Sequence, residues 1–252
     1  MTVKDSFLKL VNGLSVVNQK RDVFTNVCVL IYVIMLTQDT INFLRKLSKN
    51  NNREWFQANK KAFDAAQDNM TAFAGYLIGE IGKFNEAVAD VDPKTCVFRI
   101  YRDVRFSKDK SPYKTNLGAY IAPGGRKSMK PGYYFHLEPG KSFVAGGKHL
   151  PDGPETLKIR TAIAANVDEF LKIVTKKSYA DAFGEMRGDA LKSAPKGFDP
   201  DHKAIQYLKL KEFMAFTGLD DDSLTSPEFP KLLVKLMKEM YPLVSFLRKA
   251  LA

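Results

Sequence analysis

The chain has 252 residues, of which 45% are hydrophobic and 12% aromatic, and it carries a net charge of +11 with a pI near 9.4. That composition fits one large or two small globular domains with a full core, and a basic balance is compatible with phosphate-rich partners without requiring them. Cys28 and Cys96 are the only cysteines, far apart, with no second Cys or His at ligand spacing. A disulfide framework and a zinc site are therefore excluded, and a reducing, cytoplasmic compartment is expected.

Residues 1–34 read as an atypical N-terminal extension. A mixed polar stretch leads to Lys20 and Arg21, then to an apolar run from Val23 to Leu36 interrupted by Thr25 and Asn26. At 14 residues the run is short of the roughly 20 that a bilayer span needs. The chain continues into an amphipathic pattern rather than a small-residue cleavage site, which argues against a secretory signal. The run is either an extra core strand or a segment preceding a true start at Met35. The second reading is favoured, so a chain beginning at Met35 is expected to fold as stably as the whole.

From Thr37 the pattern is helical, with Ile41, Leu44 and Leu47 at helical spacing, Asn50 to Asn52 as a break, and a long segment from Asp64 to Phe84. Between Cys96 and Leu150, four short β-rich runs alternate with Gly and Pro clusters: CVFRIY, LGAYIAP, GYYFHLEP and SFVAGG. They predict four antiparallel strands, with YLKLKEFMAF as a possible fifth further on. Helical periodicity returns after Pro154, and a C-terminal helix carries Leu232, Leu233, Leu236, Met237, Met240, Val244 and Leu247 on one stripe, with Pro242 as an expected kink. The expected architecture is α+β: a central antiparallel sheet of about four to five strands flanked by helices, with helical N- and C-terminal parts, as one domain over residues 35–252.

Several separated motifs carry a resemblance. FRIYRDVRFSKDKSPYK, GYYFHLEPG, VAGGKHLP and APKGFDPDH with LKLKEF occur in an order that resembles the bacterial and fungal family catalogued as domain of unknown function 2461. The likeness extends over about Met35 to Ala252 and supports Met35 as a start. It implies a shared fold and a shared basic motif, and no activity.

The chemistry is concentrated in that basic motif. From Arg99 to Lys130 nine basic residues stand against two acids, Asp103 and Asp109. Charge of one sign at this density raises the folding cost by self-repulsion, which points to an anionic ligand. Arg99, Arg102 and Arg105 favour bidentate recognition of phosphate or carboxylate. Ser107, Lys108, Lys110, Tyr113 and Lys114 complete the expected ligand-binding set. Strand alternation predicts Phe98 and Ile100 toward the core, with Arg102 at its border needing an anion or a carboxylate that Asp103 is too near in sequence to supply. The competing structural reading pairs the arginines with acids and leaves the lysines as a solvated edge. Tyr101, Tyr113, Tyr120 and Tyr133 could stack bases or be ordinary sheet aromatics.

Catalytic signals are sparse. His136 and Glu138, two apart on one strand face, and Asp103 are the candidates for acid and base roles. His149 and His202 stand alone, no metal set is identifiable, and no cofactor is indicated. Gly124–Gly125 and Gly146–Gly147 match no phosphate-binding fingerprint. The expected function is binding of a phosphate-bearing or otherwise anionic ligand through residues 99–114. The alternatives are an enzyme acting on a phosphorylated or acidic substrate, and a basic face for nucleic acid or an acidic protein.

Overall fold

A computed structural model describes residues 35–186 and 188–252, so the expectations for residues 1–34 and the start at Met35 lie outside the described residues. Helix α1 (Gln38–Lys49) starts where the side chain of Thr37 accepts from the Thr40 amide, and it buries Ile41, Phe43, Leu44 and Leu47. Asn52 caps α2 (Arg53–Ala58) in the same way. Helix α3 (Lys60–Gly82) buries Phe63, Met70, Phe73, Leu77 and Ile81 on one side. A single turn, α4 (Pro93–Cys96), is capped by Asp92 and leads into the basic motif.

The sheet follows: β1 (Leu117–Ile121), β2 (Gly132–Leu137) and β3 (Phe143–Lys148) form an antiparallel meander. The chain then leaves the sheet through α5 (Gly153–Ala165), α6 (Val167–Val174), α7 (Lys177–Phe183) and α8 (Ile205–Leu208). It returns as β4 (Phe213–Gly218), antiparallel to β3, and closes with α9 (Phe229–Ala250). The sheet order is β1-β2-β3-β4.

The α+β class is as expected, and the sheet has four strands. The first of the expected runs, CVFRIY, is not one of them. Its start belongs to α4, and the backbone of the rest joins the sheet through a bridge between Val97 and Ala119 and the Phe98 amide on the Gly118 carbonyl (2.9 Å). The run bends away from β1 before a ladder can form, because its next bonds go to its own return limb: Arg102 N–H to Pro112 O (3.0 Å) and Lys114 N–H to Ile100 O (2.8 Å). Burial follows this bend rather than strict alternation. Val97 and Ile100 are buried, while Phe98 is only half-buried. The fourth strand comes from the FMAF end of YLKLKEFMAF.

Alternation then gives the sheet two faces. On one, Leu117, Ala119 and Ile121 of β1 join Tyr133, Phe135 and Leu137 of β2, Val144 of β3, and Phe213 and Ala215 of β4, all buried. Helix α3 packs on this face at β1, and α9 at β3. Helix α9 comes close at Gly146, where an added Cβ would come within 2.7 Å of the Met240 sulfur. Helix α9 continues through Pro242, and its stripe is as expected apart from Leu232, which is exposed.

Candidate functional site

The second face carries Gly118 and Tyr120 of β1, Gly132, Tyr134 and His136 of β2, Phe143, Ala145 and Gly147 of β3, and Met214 and Phe216 of β4. Among the described residues no helix covers its centre. Instead the face floors a mostly apolar pocket of about 520 Å³, within the roughly 300–1,000 Å³ usual for small-molecule sites. Glycine at positions 132 and 147 keeps the floor low. Gly147 has φ 137, and an added Cβ would sit 2.1 Å from the Phe213 carbonyl, so only glycine fits this approach of β3 to β4. Phe98, turned out of the core, forms one wall and meets Tyr134 edge to face at 6.0 Å. Phe143 and Phe216 form the opposite wall, with ring centroids 4.8 Å apart.

Cations stand around this apolar floor. Lys114 lines the pocket with its ammonium 5.4 Å from the centre of the Phe98 ring. Burial, and then the charge of Arg99, depress its pKa. Arg126 lines the pocket as well, held by the Lys94 and Thr95 carbonyls at 3.2 and 2.8 Å. Met129 forms the lip in a left-handed conformation (φ 56), and its carbonyl accepts from Lys148 at 2.7 Å. Lys148 is 1% exposed and paired with Glu155 at 2.7 Å, which satisfies the buried charge. Glu155 also closes the capping box of α5 with Asp152, so the lip is tied to a helix start.

The basic motif divides into two sets. Arg102 is bonded to Asp109, to the Ser111 carbonyl (3.2 Å) and to the Ser107 hydroxyl (3.3 Å). Arg105 is paired with Asp103, two residues earlier, at 2.7 Å in solvent. Bonds from Ser111 and Arg102 hold the Asp109 carboxyl below the usual carboxylate range, and the bonds from Arg105 do the same for Asp103. Lys110 is bonded to the Val104 carbonyl at 3.0 Å, and Lys108 is exposed. Arg102 and Arg105 are thus each bonded to an acid of their own loop, and the loop 102–111 neutralises much of its own charge. Tyr113 is buried and stacked on Phe56 at 3.9 Å, away from the pocket lining. Of the expected ligand set, Lys114 alone lines the pocket, with Arg99 close enough to lower its pKa.

His136 and Glu138 do come together. The His136 Nε2 lies 3.2 Å from a Glu138 carboxylate oxygen, and the Tyr134 hydroxyl lies 2.9 Å from His136 Nδ1. The other Glu138 oxygen accepts from the Thr115 hydroxyl at 2.8 Å. Tyr134 is absent from the residues expected from sequence, yet it stands two before His136 on the same strand face, and that spacing was its signal. Phe143, Met214 and Phe216 gave no such signal, since alternation makes a line of aromatics on either face look like core. His149 pairs with Glu212 at 3.1 Å, and His202 accepts from the Ala204 amide, a turn role. Among the described residues no cluster of three or more His, Cys, Asp or Glu could hold a metal ion, and no helix is long and apolar enough to cross a membrane.

No curated protein and no solved structure matches the chain. The sequence model of the family described as "Conserved hypothetical protein (DUF2461)" matches residues 39–246, well over half the chain, and this protein therefore belongs to that family.

Proposed function

We propose that the protein binds a small anionic ligand, bearing a phosphate or carboxylate on an aromatic or apolar body, in the pocket on the uncovered face of the sheet. Lys114 carries this reading: an ammonium in the wall of an aromatic pocket, its pKa depressed by burial, with no carboxylate partner among the described residues. A cation drawn partly out of water without a counter-charge costs free energy, and a bound anion would return it. Among the described residues Arg126 is bonded to two carbonyls and to no carboxylate, and Arg99 makes no ion pair, since its nearby acid, Asp103, is bonded to Arg105. The apolar floor supplies the contact that a bare phosphate would not use.

Calorimetric titration with phenyl phosphate, benzoate and inorganic phosphate tests this. Phenyl phosphate should bind more tightly than inorganic phosphate, and Lys114→Ala should weaken it about tenfold or more, since a hydrogen bond to a charged group is worth roughly 1.5–3 kcal/mol. Equal affinity of the Lys114→Ala protein would remove the reading. Binding of single-stranded DNA alone, falling steeply with salt, would move the function to the outer basic loop.

A further inference from the structure

Tyr134, His136 and Glu138 form a linear hydrogen-bonded series that anion binding does not require. Their two-residue spacing puts all three on one edge of β2 and just beyond it. The series is well fixed. His136 stacks on Phe143 with centroids 4.6 Å apart, its side chain is 13% exposed, and that of Glu138 is 22% exposed. Glu138 is in turn held by Thr115 through its carboxylate and by Ser142 through its backbone amide (3.1 Å). The Tyr134 hydroxyl rests over Gly118, where an added Cβ would come within 2.6 Å of it. Because the Phe98 amide is bonded to the Gly118 carbonyl, this places the hydroxyl at the end of the pocket that Phe98 and Lys114 form.

The tautomer follows from the partners. A carboxylate at Nε2 fixes the imidazole proton there and leaves Nδ1 as the acceptor of the Tyr134 proton. This is the nucleophile–base–orienting-acid order of a hydrolytic triad, with a phenol in the first position. Burial, with the Glu138 charge adding to it, pushes the Tyr134 pKa up to about 12, so the hydroxyl keeps its proton until a base takes it in the reacting step.

Resting on the anion-binding reading of this pocket, we propose that Tyr134 is a catalytic acid–base group and that His136 and Glu138 complete its proton relay, so that the site acts on an anionic substrate carrying an acidic C–H or O–H. In the forward step the substrate proton passes to the Tyr134 oxygen while the Tyr134 proton passes to His136 Nδ1. The electron pair of the broken bond stays on the substrate, whose new charge lies beside Lys114, and the imidazolium is stabilised by the Glu138 carboxylate. No oxidant or cofactor enters the balance. The reverse step returns a proton to a different atom, which is the chemistry of an isomerase or a lyase.

The relay can be read with 4-(fluorosulfonyl)benzoate, an aromatic carboxylate whose sulfonyl centre captures an activated phenol. The tyrosine oxygen–sulfur bond forms, the sulfur–fluorine bond breaks, fluoride leaves, and the phenol proton goes to His136. Incubation of the full chain followed by peptide mass spectrometry should place the label on Tyr134 ahead of the exposed Tyr101, and Tyr134→Phe should remove it. His136→Gln should slow labelling about a hundredfold, within the usual range for a general base. Glu138→Gln should lower the plateau rate and Glu138→Asp should restore part of it, a rescue that a role in packing alone would not produce. Labelling of Tyr134 at the same rate in His136→Gln, or scattered or absent labelling in the unaltered protein, overturns the relay. Saturation of the rate with probe and protection by benzoate report on the anion pocket separately, so unsaturable labelling of Tyr134 would keep the relay and reject the pocket as its binding site.

Discussion

The two faces of the sheet are built from the same strands and both carry aromatic residues, yet one is packed under α3 and α9 and the other floors a pocket. On an antiparallel sheet with one solvated side, alternation ordinarily gives apolar residues inside and polar ones outside. Here the outer face carries Tyr134, Phe143, Met214 and Phe216, and Phe216 is 52% exposed. Among the described residues no helix covers this face and Lys114 at its edge has no ion pair, and the proposed ligand site would account for both.

The largest expected effect separates the faces by stability. Phe135, buried against Phe73 and Phe229, should cost about 3–5 kcal/mol when replaced by Ala. Phe216→Ala should stay within about 0.5 kcal/mol in the same denaturant titration, while its affinity for phenyl phosphate falls. Equal losses would mean that the outer face is core after all.

Glycines sharpen the contrast at the next level. Gly146→Ala forces its Cβ against Met240 under α9 and should destabilise by about 1–3 kcal/mol, read from the unfolding midpoint. Gly118→Ala meets the ring and hydroxyl of Tyr134 on the outer face rather than a packed helix, so its stability should change less than that of Gly146→Ala. The displaced hydroxyl should instead lose its labelling by fluorosulfonylbenzoate.

Smaller effects divide the two sets of cations. Arg102 is already bonded to Asp109, so Arg102→Lys should change phenyl phosphate affinity by less than about twofold, and a pair with so exposed a carboxylate contributes little to folding. A tenfold loss of affinity would restore Arg102 to the ligand set.

The smallest effect is a pH dependence. The folded pKa of Lys114 lies below its ordinary 10.5, so the charged form is disfavoured in the native state. Stability of the unliganded protein should therefore rise slightly as pH climbs through that depressed value toward 10.5, and benzoate should suppress the rise. Melting temperatures with and without benzoate, compared with Lys114→Met, check the sign.

Much of this was legible in the chain. Helical spacing located α1, α3 and α9, Gly and Pro punctuation located β1 to β3, and the density of Arg and Lys located the segment that supplies Lys114. The misread residues share a cause. Phe98 read as core and CVFRIY as a strand because alternation is a local signal, whereas the bend after Phe98 depends on the return limb at Pro112 and Lys114. For Arg102 an anion and an acid were both open, and Asp109 reaches it only in a loop conformation that sequence spacing does not encode.

The sequence by itself determined the α+β class, the strand alternation that aligns Tyr134 with His136 and Glu138, and the net positive charge beside β1. Periodicity and composition are properties of neighbours along the chain, and no partner from elsewhere is needed to express them. The tertiary structure decided which aromatic face would be covered and which cations would be neutralised. Both depend on where α3 and α9 pack and on which carboxylates fold back within reach, and contacts between residues distant in sequence leave no periodic trace in it.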